Sequence, residues 1–287
     1  MEPMSVDLRA HGARPRGLGR SPVPLRPDGD GEPLICVHPA GGGVFCYQDL
    51  ARSPELAFPV YALQAEGLEP GERPLEGIDA LAAEYLERAR PLHGAGGWRL
   101  CGWSFGGLVA YEMACQLADA GEDVEILAML DPPIRTGSDE PATDEIGVLA
   151  DFLEYFAAIS DREPAMRREE VAALDPAVRR SRVLSSMRSA SLLPPGAGEE
   201  RLSRMLDVFS CNRHAMVAYR PRPYRGAALL FVTAQPGKAR AAGEQWARLC
   251  HGGLRIIEMP CAHVEVILRP HVAAVTAELI RLAGSAE

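Results

Sequence analysis

The sequence predicts an α/β fold, a mostly parallel central sheet flanked by helices. Two observations carry that expectation. Short apolar runs alternate with segments whose apolar residues recur at helical spacing, the pattern of parallel strands covered by crossover helices. A Gly-Trp-Ser-Phe-Gly turn at 102–106 also joins one such strand directly to one such helix.

The elements follow in order. Leu34–Val37 reads as a buried strand ending in His38-Pro39-Ala40-Gly41-Gly42-Gly43, and Val60–Leu63 reads as a second. Ile78, Leu81, Ala82, Tyr85 and Leu86 then fall on one helical face. A strand over 98–102 precedes a helix bearing Leu108, Tyr111, Ala114, Cys115 and Leu117, and Val124–Leu130 is a further strand. Leu229–Val232 and Leu254–Ile257 supply two more, and Val272, Val275, Leu279 and Leu282 form the stripe of a closing helix. Between Asp131 and Gly226 only helical spacings occur, at Leu149, Phe152, Leu153 and Phe156, and again at Leu202, Met205, Leu206 and Phe209. The expectation is a helical lid over about 138–226, inserted above the carboxyl edge of the sheet, where open α/β sheets bind ligands. Residues 1–33 are rich in Gly, Pro and Arg and read as a linker or tail, with the domain itself spanning 34–287.

With 287 residues, 47% of them hydrophobic and 24% charged, the chain has the composition of a globular domain. No apolar run approaches the ~18 residues of a membrane span, and the N-terminus has no apolar signal core, so a cytoplasmic protein is expected. The net charge of −9 argues against nucleic acid and against anionic membrane surfaces as partners. Seven cysteines with no Cys-x-x-Cys pair and no neighbouring histidine cluster read as free thiols, with no metal site.

The chemistry centres on Ser104. Gly102-Trp103-Ser104-Phe105-Gly106 matches the nucleophile elbow of α/β-hydrolases, whose strand-to-helix turn is too tight for a Cβ at either glycine. A neutral hydroxyl needs a base in contact with it, and in this architecture the acid and the base follow the serine in the chain. His263, in the loop after the last strand, is the expected base, with His271 as its competitor. His38 precedes the serine, His214 belongs to the lid, and His11, His93 and His251 lie in the tail or polar loops. Asp131 directly follows the Val124–Leu130 strand, whereas Thr233–Gly237, the other customary place for the acid, offers no carboxylate. Asp131 is therefore the expected orienting acid. The backbone N–H groups of Phe105 and Ala40 are the expected oxyanion donors. There is no phosphate cradle, and no bound cofactor is expected.

Taken together, Leu34–Gly42, the Leu100–Ala114 segment, the Leu130-Asp131 strand end and the late His263 resemble the thioesterase domains of nonribosomal peptide and polyketide synthases, over roughly residues 22–284. Gly-Trp-Ser-Phe-Gly-Gly is similar to the integrated, product-releasing type, whereas free-standing editing enzymes tend towards Gly-His-Ser-Met-Gly. The resemblance implies that an acyl or peptidyl carrier protein, in cis or in trans, presents an acyl chain on its phosphopantetheine arm. Ser104 takes that chain, and hydrolysis or macrocyclisation releases it. Pro22–Pro27 is similar to the linker that joins such a domain to its carrier. Arg167, Arg168, Arg179, Arg180 and Arg182 are candidates for meeting an acidic carrier. Phe152, Phe156, Met205 and Phe209 form either an apolar ceiling or the lid's own core. An editing thioesterase or general esterase of the same fold, and an inactive carrier-binding module, remain the alternatives.

Overall fold

A computed structural model of the chain describes residues 21–133, 144–190, 198–235 and 237–284. The expected lid start at 138, and His11, lie outside them. Seven strands form one sheet: β1 Val23–Arg26, β2 Leu34–Val37, β3 Val60–Leu63, β4 Trp98–Trp103, β5 Val124–Leu130, β6 Ala228–Thr233 and β7 Leu254–Met259. Their spatial order is β1-β3-β2-β4-β5-β6-β7. All pairs are parallel except β1 with β3. The described helices are α1 Gln48–Ala51, α2 Ile78–Ala89, α3 Phe105–Asp119, α4 Glu145–Ile159, α5 Arg168–Ala173, α6 Pro176–Ser189, α7 Glu199–Ala218, α8 Lys238–Ala247 and α9 Val272–Ala283. None is long and apolar enough to cross a membrane.

The inner strands read as near-continuous apolar runs because both faces of the sheet are covered there. Ile35, Val37, Leu100, Leu127, Met129 and Leu230 point to one face, where α2, α3 and the Trp246 side of α8 pack. Leu34, Cys36, Cys101, Ile126, Ala128 and Phe231 point to the other, against Leu50 of α1 and Val272, Val275 and Leu279 of α9. The two-residue period thus divides each strand between two cores, and each fully buried aliphatic side chain is worth ~1.5–3 kcal/mol.

The structure corrects the N-terminal boundary. Val23–Arg26, read from the sequence as linker, is an antiparallel edge strand pairing Val23 with Ala62 and Pro24 with Tyr61. Proline lacks an N–H to donate, and an edge strand tolerates that on its unpaired side. Arg26 fastens the strand further by donating from Nη1 to the Ser53 carbonyl at 2.7 Å.

Between β5 and β6 the described residues form helices α4–α7 and no strand. Phe152 meets Phe156 and Phe209 edge-on, with ring centroids 4.8 and 5.4 Å apart, so α4 and α7 share an aromatic core. These two helices lie against the loops that follow β2 and β3. Asn212 Nδ2 donates to the Ala40 carbonyl at 2.9 Å, and Arg204 Nε to the Leu68 carbonyl at 3.1 Å.

Candidate active site

Ser104 stands between β4 and α3 with φ 56° and ψ −125°, a conformation that costs a non-glycine residue of order 1–3 kcal/mol. The surroundings enforce it. A Cβ on Gly102 would run into the Gly106 carbonyl, and one on Gly106 into the Val37 carbonyl. Ser104 N–H donates to the Leu130 carbonyl at 2.9 Å, one step past the Trp103–Leu130 pair of the β4–β5 ladder, which sets the serine beside Asp131. Tyr47 ties the neighbouring strand ends together: its hydroxyl donates to the Val37 carbonyl at 2.6 Å and accepts from Trp103 N–H at 2.7 Å.

Asp131 is 2% exposed and also has a positive φ, 46°. Its N–H donates to the Phe231 carbonyl at 2.8 Å, which turns the side chain across the end of β6. Thr233 N–H reaches Oδ1 at 3.0 Å, while Lys238 Nζ and His263 Nδ1 both reach Oδ2, at 2.7 and 2.6 Å. Burial by itself raises the carboxyl's pKa. The hydrogen bonds from His263, Lys238 and Thr233 outweigh it and hold the group down at about 2, so Asp131 is ionised.

His263 opens a short 3₁₀ turn, His263–Ile267, just past β7, and its side chain is 37% exposed. Its ring lies against Trp103 at a centroid distance of 5.2 Å, and Trp103 Nε1–H donates to the His263 carbonyl at 3.1 Å. Because Nδ1 must donate to the Asp131 carboxylate, the neutral ring carries its lone pair on Nε2. The structure therefore joins Asp131 and His263 directly and puts Ser104 at the next strand end. His271, the competing base, sits instead at the start of α9.

The loop after β2 is oriented from beneath. The Pro39 carbonyl accepts from Gly42 N–H at 2.9 Å and from His38 Nδ1 at 2.8 Å. In a trans peptide the N–H points opposite the carbonyl, so Ala40 N–H is directed away from those donors. His38 is wholly buried, with Nε2 accepting from the Tyr85 hydroxyl at 2.6 Å. Burial brings its pKa down to about 4 and keeps it neutral. Phe105 N–H belongs to the first turn of α3, where backbone donors have no partner within the helix.

Beside these groups lies an apolar cleft. Gly41 and Gly43, Trp103 and Val264 line its sheet side, and Tyr155, Phe156, Ile159 and Met205 its helical side, with Gln64, Glu69 and Arg201 as polar members. Of the four residues expected as ceiling or core, Phe156 and Met205 line the cleft, whereas Phe152 and Phe209 are buried in the helical core.

The arginine expectation divides as well. Arg179 is 8% exposed and bonds to Glu145 and to the Val171 and Leu174 carbonyls, so it is an internal strut and not a docking residue. Arg180 is partly engaged, by Ser203 and Asp207. Cys261, Glu265 and His271 bring ligand atoms within 4.8 Å of one another. Burial raises the Cys261 thiol, and Glu265 is occupied as the acceptor of Ala262 N–H at 2.6 Å, which makes a weak ligand set.

Sequence reasoning missed Lys238, Thr233, Tyr47 and Asn212, and it set His38 aside. One signal was available for Lys238, which is the only lysine in the chain.

A family model of the thioesterase domain matches residues 32–281. A dimodular nonribosomal peptide synthase of Bacillus subtilis (strain 168) is 29% identical over 252 residues, covering 85% of this chain and 10% of the relative. Polyketide synthase PksR of the same organism is 33% identical over 154 residues, covering 52% of this chain and 6% of the relative. The chain thus spans a tenth or less of these curated relatives. Among solved structures, the wild-type Vlm2 thioesterase domain is similar at 25% identity and a TM-score of 0.64, covering 91% of this chain and 97% of that one.

Proposed function

This chain belongs to the thioesterase domain family, of the type found in nonribosomal peptide and polyketide synthases, and on that premise we propose that it releases an acyl or peptidyl chain from a carrier-protein thioester through an acyl-enzyme on Ser104. The observation that carries this reading is the Asp131–His263 hydrogen bond of 2.6 Å at the strand end adjoining a serine held at positive φ. His263 Nε2 takes the Ser104 proton as Oγ attacks the thioester carbonyl. Asp131 holds the ring in that tautomer and stabilises the imidazolium. The tetrahedral oxyanion is met by the N–H groups of Ala40 and Phe105, the first turned towards the site by the bonds on the Pro39 carbonyl. The imidazolium then protonates the departing phosphopantetheine thiolate. Water, or a nucleophile within the chain itself, repeats the sequence on the ester. The cleft between Trp103 and Met205 receives an apolar acyl group, and helices α4–α7 serve as its lid. The carrier, in cis or in trans, is the partner, and no bound cofactor takes part.

The test is intact-protein mass spectrometry after incubation with N-acetylcysteamine acyl thioesters, comparing wild type with Ser104→Ala. A mass gain equal to the acyl group, seen in wild type alone and decaying as acid or cyclic product appears, is the expected result. An adduct of equal yield in the Ser104→Ala protein would move the nucleophile elsewhere.

A further inference from the structure

Thirty side chains in this protein are Lys or Arg, and one of them is a lysine, Lys238. It is the first residue of α8, where the helix macrodipole repels a cation, and no acidic residue in that first turn compensates. Its partner explains the placement. The ammonium donates to Asp131 Oδ2 at 2.7 Å and to Thr233 Oγ1 at 2.8 Å. The Asp131 side chain is 1% exposed and that of Lys238 21%, so the pair is largely shielded from water. Oδ2 is also the oxygen that accepts from His263 Nδ1. With Thr233 N–H holding Oδ1, the carboxylate cannot rotate without breaking a bond.

We propose that Lys238 is a positioning residue for acyl transfer: it locks the Asp131 carboxylate onto His263 and offsets part of the negative charge that this carboxylate presents to the ring. The proposal rests on the reading of Ser104, Asp131 and His263 as the reacting set. The sign follows from electrostatics. A carboxylate favours the imidazolium, and a cation on the same oxygen subtracts from that preference. Among the described residues, Cys261 and Glu265 flank His263 on its own turn, and His271 at the start of α9 brings a ring nitrogen within 4.8 Å of both. The Cys261 thiol is raised by burial, then by Glu265 and Asp131, and stays neutral, while Glu265 is engaged by Ala262 N–H.

Two measurements test it. In pH profiles of kcat/KM on an N-acetylcysteamine acyl thioester, Lys238→Met should move the acidic limb up by about one pH unit, and Lys238→Arg should restore the wild-type limb. A Lys238→Met enzyme with the wild-type limb and plateau, or with a lower plateau and an unmoved limb, overturns the proposal. The single lysine also gives a readout independent of turnover, acetylation by an N-hydroxysuccinimide ester followed on the Lys238 peptide, with the N-terminal amine as reference. Lys238 should react about tenfold more slowly in wild type than in Asp131→Asn, because the bond to the carboxylate engages the amine and keeps it covered. Equal rates remove the ion pair and the proposal with it. Slow acetylation in wild type alongside undiminished turnover by Asp131→Asn would instead show that the pair exists but the reading of Asp131 fails.

Discussion

The two walls of the cleft are made differently. On the sheet side, each group of the proposed reacting set is over-determined. Ser104 is held by glycines that admit no Cβ, Asp131 by Thr233, Lys238 and His263, and the Pro39 peptide by His38 and Gly42. On the helical side, contact with that machinery is sparse. Asn212 bonds to the Ala40 carbonyl, Tyr155 lies over Gly41 and Val208 over Gly42, while most of the remaining residues turned to the cleft, Phe156, Ile159 and Met205 among them, are apolar, with Ser160 and Arg201 as the polar ones. The contrast teaches where variation is affordable. Sites that stabilise developing charge need donors fixed before reaction, whereas a pocket that sorts acyl chains needs only shape.

The sharpest way to break this contrast is Asp131→Asn. A fixed sheet-side constellation should lose about 10⁴-fold in kcat through the wrong histidine tautomer, with little change in fold. Near-full activity would shift the acid to another residue. His38 gives the next largest effect, on stability. Its pKa falls from 6.5 to about 4 on folding, so the unfolded chain binds the extra proton first. Stability is therefore complete above about pH 6.5 and declines as the pH drops towards 4, by about 3 kcal/mol in all. Urea titrations at several pH values should show that slope in wild type and a flatter one in His38→Asn, and identical slopes would place the linkage elsewhere. The smallest effect belongs to the helical wall. Met205→Ala should alter the preference between long and short acyl thioesters by about tenfold in kcat/KM while leaving the rate on the shortest chain nearly unchanged. A uniform loss across chains would make Met205 part of the fixed machinery instead.

How much of this was legible in the sequence varied with the kind of signal. The inner strands announce themselves because strands covered on both faces carry unbroken apolar runs, as Leu34–Val37 and residues 126–130 do. The elbow is legible because its steric demand leaves only glycine at 102 and 106. The edge strand Val23–Arg26 was hidden, since an outermost strand needs neither continuous apolarity nor every N–H, and its Pro24 imitates a linker. Lys238 escaped for a different reason. The end of β6 and the turn after it offer no carboxylate, and their contribution is the complement, a hydroxyl and a cation that hold the carboxylate just past β5. His38 precedes the serine, an order that speaks against a catalytic base, and its contact is one that aims a peptide and does not move a proton.

The antiparallel sense of β1 has a consequence for delivery. Val23 pairs with Ala62 and Arg26 with Val60, so the polypeptide enters the sheet at the carboxyl ends of β3 and its parallel neighbours, the edge where Ser104 and His263 stand. On the proposed function, a carrier fused ahead of this strand would start on the same rim as Ser104. Its tether need not wrap around the domain, and a short one maintains a high effective concentration of thioester at the cleft mouth.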